Sequence, residues 1–144
     1  MKCRLTNWSH VIPRVKVKKV LIIEDHADMR ELLSWQVELM GFAPVVAKQA
    51  RDGIEKALAE KPELIVLDIM MPGMDGWAAA RELRAHSETK DIPILAATAL
   101  FRDADIKACK DAGCDGYIIK PFTFQELQAK VQELIPSISP TYPR

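Results

Sequence analysis

The sequence predicts an α/β fold in which five parallel strands form one open, doubly wound sheet. Five short apolar runs alternate with five segments of helical periodicity, a pattern typical of strand–helix–strand units. Most of these runs are almost continuously apolar, as expected of strands buried on both faces. Five units are too few for an eight-stranded barrel, so the sheet should be open. The expected strands are Val17–Glu24, Ala43–Ala47, Leu64–Asp68, Ile94–Thr98 and Gly116–Lys120.

The segments between the strands each carry a helical pattern with recognisable ends. Gly41 stands where a C-cap glycine of the first helix belongs, and the last helix begins with a capping box, Thr123 to Glu126. The first four helices are expected at about Ala27–Met40, Ala50–Glu60, Gly76–Ala85 and Arg102–Ala112. The apolar face of the first should comprise Met29, Leu32, Leu33, Val37 and Met40, with Gln36 as its one polar member.

Length and composition restrict the class of protein. A chain of 144 residues with 49% hydrophobic residues is most simply one domain with a core of ordinary size. It contains no apolar run of roughly 18 residues that could span a membrane, and no signal-peptide core near its start. Three cysteines without a Cys-x-x-Cys spacing argue against a disulfide framework or a zinc site. These features predict a cytoplasmic protein in which Cys109 and Cys114 are reduced and pack as small apolar residues.

Charge is distributed unevenly, although 20 basic and 20 acidic residues balance. No acid precedes Glu24. We expect residues 1–16 to form a poorly ordered basic extension or, alternatively, an arm attracted to an acidic partner or a nucleic acid. The domain itself should span 17–135, and a proline-rich tail, 136–144, should be loose. The bases that precede Glu24 are Lys2, Arg4, Arg14, Lys16, Lys18 and Lys19.

Acidic residues stand at the carboxyl ends of two expected strands. Asp68 ends one strand, and Glu24 and Asp25 end another, while Thr98 and Lys120 end two more. In open parallel sheets these ends meet at the edge where ligands bind. Three neighbouring carboxylates need a counter-charge, and Mg²⁺ supplies it through oxygen ligands. The sequence therefore predicts a magnesium site at this edge of the sheet.

The same groups suit phosphoryl chemistry. A carboxylate can attack phosphorus to give an aspartyl phosphate, and Asp68 on the central strand is the natural nucleophile. Lys120 offers a compact positive charge and Thr98 a short hydroxyl donor to phosphoryl oxygens. Glu24 and the neighbouring Asp25 are then the natural metal holders. His26 is interpreted as a solvated residue at the start of the first helix rather than as a ligand.

Four motifs, in this order, resemble the receiver domain of two-component response regulators. The resemblance covers about Val17 to Leu134, and it implies the flavodoxin-like strand order 2-1-3-4-5. Each motif alone would be weak, but the four together are specific. They are Leu21-Ile22-Ile23-Glu24-Asp25, Leu67-Asp68-Ile69-Met70-Met71-Pro72-Gly73-Met74-Asp75-Gly76, Ile94-Leu95-Ala96-Ala97-Thr98-Ala99 and Gly116-Tyr117-Ile118-Ile119-Lys120-Pro121-Phe122.

The resemblance implies a role for each residue of the cluster. Asp68 would accept a phosphoryl group from a phosphohistidine of a histidine kinase or histidine phosphotransfer protein. Mg²⁺, with Mn²⁺ as a possible substitute, would be held by the side chains of Glu24, Asp25 and Asp68. The backbone carbonyl of Met70 would complete the protein ligands. Lys120 would contact Asp68 and then the phosphoryl group.

The resemblance also implies a two-state switch in partner binding. Thr98 would swing in to bond a phosphoryl oxygen, and the ring of Tyr117 would turn inward as Thr98 moves. The Lys120–Pro121 peptide bond is expected to be cis. Trp35 lies off the core face of the first helix. It is expected to be either a half-buried flanking residue or a docking contact for the phosphoryl donor.

One departure from the family pattern concerns the lifetime of the phosphorylated state. Met70 and Leu100 stand where other members often carry polar residues. Because neither side chain can easily position an attacking water, we expect slow self-dephosphorylation.

The expected protein is a stand-alone receiver that binds an unknown downstream protein, without direct DNA binding, membrane association or enzymatic turnover. One alternative is a receiver fragment of a hybrid histidine kinase or of a longer regulator. Another is a Mg²⁺-dependent phosphatase of the haloacid dehalogenase type. Such a phosphatase would need a second aspartate as acid/base where this chain has Met70.

Overall fold

The structure, a computed structural model, describes residues 17–100 and 102–136. The predictions made for residues 1–16 and for all but the first residue of the tail lie outside these ranges. Strands and helices alternate along the described chain. The strands are β1 Lys19–Ile23, β2 Ala43–Ala47, β3 Leu64–Asp68, β4 Ile94–Thr98 and β5 Gly116–Ile119. The helices are α1 Ala27–Leu39, α2 Ala50–Glu60, α3 Gly76–Ala85, α4 Asp103–Ala112 and α5 Phe124–Leu134.

The five strands form one parallel sheet in the order β2-β1-β3-β4-β5, which confirms the predicted fold. Every residue of β3 and of β4 is buried, as expected of central strands covered on both faces. The edge strand β2 is more exposed. The predicted site residue Asp68 therefore ends the strand at the middle of the sheet.

The core consists of two clusters, one on each face of the sheet. Alternate residues of β1 enter different clusters because successive side chains of a strand point to opposite faces, as Leu21 and Ile22 do. The first cluster is closed by α2, α3 and α4, with side chains such as Leu83. The second is closed by α1 and α5, through Leu33 and Leu127. The fold is therefore a three-layer arrangement of helices, sheet and helices.

Several predicted element ends shift by one or two residues. β1 begins at Lys19 and stops before Glu24, and β5 stops before Lys120. Two residues predicted to be helical are caps: Met40 follows α1, and Arg102 precedes α4. Glu24 and Lys120 therefore stand in the loops that follow β1 and β5, at the carboxyl edge of the sheet. The longest described helix has 13 residues, and none in the described ranges is long and apolar enough to cross a membrane.

The predicted core face of α1 is wrong at Leu32. Leu33 and Val37 are buried, and Gln36 is 8% exposed, but Leu32 is 43% exposed. With about 100° of rotation per residue, Leu32 lies about 90° from the centre of the buried face. It belongs instead to an outward line that it shares with Trp35 and Leu39, which are 58% and 66% exposed.

Candidate functional site

Carboxylates from two neighbouring strands meet at one edge of the sheet. Ile23 pairs with Leu67 in parallel register, so the residues that follow, Glu24 and Asp68, leave the sheet side by side. Glu24 is 1% exposed and Asp68 is 3% exposed. One ligand atom from each of Glu24, Asp25, His26 and Asp68 lies within 4.8 Å of the others. This is the acidic cluster that the strand-end pattern predicts.

Lys120 brings the positive charge of the site. Its Nζ donates a hydrogen bond to Glu24 Oε1 at 2.9 Å and lies 3.5 Å from Asp68 Oδ1. The side chain extends from the loop after β5, two strands away from β3, and the peptide bond to Pro121 is cis. We expected Lys120 to contact Asp68, and the structure places it closer still to Glu24.

Burial and neighbouring charge shift the proton affinities of this cluster. Burial raises the pKa of Asp68 to about 7; the charge of Lys120 opposes this rise and that of Glu24 adds to it. Burial also acts to raise the pKa of Asp25. A hydrogen bond with Asp68 and the charge of His26 outweigh that effect and leave the pKa of Asp25 below its ordinary value. The two neighbouring aspartates therefore differ in how readily they ionise.

One oxygen of the cluster is buried without a hydrogen-bond donor among the described residues. This atom is Asp25 Oδ1, although His26 Nδ1 lies 3.4 Å from it. The same ring nitrogen lies 3.3 Å from Glu24 Oε2, but the His26 side chain is 74% exposed. Because a buried charged oxygen without a partner is costly, this atom fits a cation ligand. The donor set of oxygens with one imidazole at its margin suits a hard cation such as Mg²⁺.

The turn after β3 holds Asp68 and carries Met70. The Met70 backbone N–H donates to Asp68 Oδ1 at 3.1 Å, while the Met70 side chain is 58% exposed. Gly76 allows this close turn, since a Cβ there would lie 2.6 Å from Ile69 Cα and 2.7 Å from Asp68 O. Asp75 then caps α3 by accepting a hydrogen bond from Ala78 N. An open cleft of about 530 Å³ lies beside this turn and is lined by Asp25, Ile69, Met70, Met71, Pro72, Asp75 and Trp77.

Thr98 ends β4, the strand next to β3. Its side chain is buried, and its Oγ1 accepts a hydrogen bond from Leu100 N at 2.9 Å. Its carbonyl accepts one from Lys120 N at 2.8 Å, so the two residues are fixed to each other through the backbone. Thr98 therefore stands between the strand of Asp68 and the loop of Lys120.

Two other predicted residues lie away from the cluster. Tyr117 is half-buried on β5, and its ring has Lys130 Nζ 5.4 Å from the centroid. It lines a cavity of about 190 Å³ between β5 and the neighbouring helices. Trp35 is on the outer side of α1 and is 58% exposed, so a flanking residue and a docking contact both stay predictions.

Sequence reasoning missed Arg30. Its guanidinium donates to the backbone carbonyls of Glu24 at 2.9 Å and of Asp25 at 3.2 Å. Arg30 thereby fixes the loop that carries both acids. The only signal in the sequence is that Arg30 follows Glu24 and Asp25 by six and five residues. This spacing predicts a contact only when the direction in which α1 leaves the sheet is known.

Comparisons with known proteins agree with this geometry. Residues 20–132 match the family model described as response regulator receiver domain. The chain is 36% identical over 121 residues to the protein named "Probable transcriptional regulator ycf27" of Cyanophora paradoxa, covering 84% of this chain and 49% of that one. It is 35% identical over 123 residues to the phosphate regulon transcriptional regulatory protein PhoB of Escherichia coli (strain K12), covering 85% and 54%. The chain thus spans about half the length of these relatives.

A solved structure gives the same result for the fold. The receiver domain of the sensor histidine kinase PA1611 from Pseudomonas aeruginosa PAO1 superposes with a TM-score of 0.78 at 27% identity, covering 84% of this chain and 99% of that one. That structure is described as having a magnesium ion coordinated in its active-site cleft. The protein is an α/β receiver with an acidic cluster at the carboxyl edge of its sheet. It belongs to the response regulator receiver domain family.

Proposed function

We propose that this chain is a phosphorylation-dependent switch in which Asp68 accepts a phosphoryl group from a phosphohistidine. One observation carries the proposal: the carboxylate of Asp68, 3% exposed, lies 3.5 Å from Lys120 Nζ inside an acidic cluster. The donor would be a histidine kinase or a histidine phosphotransfer protein, the partners of receiver domains. In the transfer, an Asp68 oxygen forms a bond to phosphorus as the bond from phosphorus to the histidine nitrogen breaks. The electron pair of that bond stays on the nitrogen.

The residues around Asp68 have separate tasks in this reaction. Lys120 balances the negative charge of the acidic cluster and can donate to a phosphoryl oxygen. The hydroxyl of Thr98 can donate to another oxygen after it leaves its present partner, Leu100 N. The hydrogen bond from Met70 N holds Asp68 Oδ1 in position. Phosphoryl transfer depends mainly on such positioning and charge stabilisation.

The site fits a divalent cation. Glu24, Asp25 and Asp68 would hold Mg²⁺, or Mn²⁺ in its place, and the backbone carbonyl of Met70 is proposed as a further ligand. The support is the buried Asp25 Oδ1 without a donor and the oxygen-rich ligand set. The magnesium described for the PA1611 receiver, in the same fold, agrees with this choice. The ion would supply positive charge to the carboxylates and to the incoming phosphoryl oxygens.

The output of the switch would be a change in partner binding. Thr98 would turn toward the phosphoryl group, and the ring of Tyr117, one strand away, would turn inward behind it. The half-buried position of Tyr117, on the strand that pairs with that of Thr98, supports a ring that can change position. Trp35, exposed on α1, is proposed as a contact for the phosphoryl donor because a large aromatic side chain exposed on a helix is typical of a binding surface.

The proposal covers the receiver, whether it acts alone or within a longer regulator. We expected a stand-alone protein without direct DNA binding. Both stay predictions, because the two relatives named as transcriptional regulators are about twice as long as the matching region. The downstream partner is proposed to be a protein that distinguishes the two states of the switch.

Acetyl phosphate is the small-molecule donor for the test. Incubated with it and Mg²⁺, the wild-type chain should gain one phosphoryl group in intact-mass measurements, whereas Asp68→Asn should gain none. Asp75→Asn is the matched control, since Asp75 is an exposed acid of the same loop and asparagine also caps helices. Phosphorylation of Asp68→Asn to the wild-type extent, or none in the wild type, would contradict the proposal.

A further inference from the structure

The outer side of α1 carries an apolar stripe that no described residue covers. Leu32, Trp35 and Leu39 are 43%, 58% and 66% exposed, and their spacing of three and four residues places them in one line. They are three of the six large apolar side chains that are exposed in the described ranges. Contiguous exposed apolar surface of this kind marks a place where another polypeptide segment binds.

Acidic residues outnumber basic ones in the helix layer that carries this stripe. The outer helix layer, formed by α1 and α5, holds five acids and two bases. One of the bases, Arg30, is engaged with the carbonyls of Glu24 and Asp25. The acids of the layer are Asp28, Glu31, Glu38, Glu126 and Glu133, and all five are exposed. The segment that binds here should therefore be both apolar and basic.

Residues 1–16 of this chain have that composition. They contain four bases and no acid, together with the apolar residues of the stretches 5–8 and 11–15. A second copy of the protein would instead bring one acidic layer against another, which is unfavourable in a symmetric dimer. Tethering favours the chain's own segment further, because it raises its effective concentration at the surface.

The path of the chain allows this contact. Lys18 O accepts a hydrogen bond from Ala43 N at 2.9 Å, and Ala43 follows α1 by only four residues. The described chain therefore begins beside the end of α1 that carries Leu39. The stripe from Leu32 to Leu39 is about 10 Å long, whereas sixteen extended residues reach about 50 Å.

We propose that residues 1–16 bind along the outer side of α1, with their apolar side chains on Leu32, Trp35 and Leu39 and their bases near the acids of this layer. The segment then covers the surface proposed above for the phosphoryl donor. A donor has to displace it before reaching Trp35. This consequence rests on the proposed function, whereas the placement of the segment does not.

The test uses the full chain with a nitroxide attached to Cys3. The other two cysteines, Cys109 and Cys114, are buried, so labelling at Cys3 should be selective. In ¹⁵N-labelled protein, the nitroxide should broaden the backbone amide signals of Leu32, Trp35 and Leu39. Signals of α3, on the opposite face of the sheet, should stay sharp. The substitutions Arg14→Glu/Lys16→Glu should remove the broadening, and the matched pair Arg81→Glu/Lys90→Glu, at exposed bases of α3 and its following loop, should leave it intact.

A mixing experiment separates the occupants of the stripe. Chains that carry the nitroxide and natural ¹⁴N are added to ¹⁵N chains without a nitroxide. Any broadening of the ¹⁵N signals then comes from another molecule. Absence of broadening in the mixture supports binding within one chain. Broadening of the α1 signals in the mixture would overturn the proposal. Equal broadening of α1 and α3 in the protein that carries ¹⁵N and the nitroxide on the same chain would overturn it too. Neither result depends on phosphorylation of Asp68. Failure of this proposal can therefore be distinguished from failure of the proposed function, which the acetyl phosphate experiment tests.

Discussion

Replacing Asp68 by asparagine should stabilise the protein in the absence of divalent metal, and the gain should grow with pH. The native cluster holds the pKa of Asp68 at about 7, against an ordinary value of 3.8. The native state therefore keeps a proton that the unfolded state releases, and stability falls as pH rises through this window. A pKa difference of about three units lowers the free energy of unfolding by about 4 kcal/mol. This loss of stability is fully present above pH 7 and absent below about pH 4.

Asparagine should remove this cost without removing the local hydrogen bond. Its side-chain oxygen can still accept from Met70 N, and Lys120 keeps its contact with Glu24 at 2.9 Å. Urea unfolding in a chelator should show Asp68→Asn more stable than wild type by up to about 4 kcal/mol at pH 8. The difference should be small near pH 4.5. Asp75→Asn, in an exposed capping position, should change stability little at either pH.

Metal provides a second readout of the same reasoning. Mg²⁺ should stabilise the wild type against urea, because a ligand that binds only the native state adds to its stability. It should stabilise Asp68→Asn less, since one carboxylate ligand is gone. The reasoning would be refuted if Asp68→Asn were less stable than wild type at pH 8 without metal. A difference that is equal at both pH values would refute it too.

Three further predictions concern other parts of the molecule. Phosphorylated wild type, freed of acetyl phosphate, should lose its phosphoryl group over minutes or longer, and Met70→Glu should shorten that lifetime by offering an oxygen to an attacking water; loss within seconds in the wild type would contradict this. Arg84→Ala should destabilise the fold by about 3 kcal/mol in urea unfolding, because its guanidinium donates to three backbone carbonyls and a carboxylate, whereas Arg81→Ala, at an exposed position, should change stability by less than about 0.5 kcal/mol. Burial raises the pKa of Cys114 to about 12, so iodoacetamide at pH 8 should modify this thiol much more slowly in native than in urea-unfolded protein; equal rates would be inconsistent with the buried thiol.

Much of the fold could be predicted from local patterns. The near-continuous apolar runs of β3 and β4 identify central strands, and the glycine after α1 marks its end. The proximity of Glu24 to Asp68 also follows, because parallel strands end at the same edge of the sheet. The strand order came from the resemblance to receivers, since alternation of strands and helices alone is compatible with more than one order.

Side-chain contacts could not be predicted in the same way. Periodicity assigned Leu32 to the core face of α1, but the orientation of the whole helix on the sheet turns it outward. The preference of Lys120 for Glu24 over Asp68 depends on the distances between two loops and the end of β3. The role of Arg30 depends on how α1 leaves β1. Each of these orientations and contacts depends on many packing interactions across the fold, and not on residues that are neighbours in the sequence.

The sequence by itself determined that acids stand at the ends of strands β1 and β3, since hydrophobic patterning defines the strands and the chain places the acids after them. Only the tertiary structure decided what surrounds those acids. It buries Asp68 enough to raise its pKa, leaves Asp25 Oδ1 without a donor and places Lys120 across the cluster. Charge interactions depend on distance and burial, and both exist only once the strands are assembled.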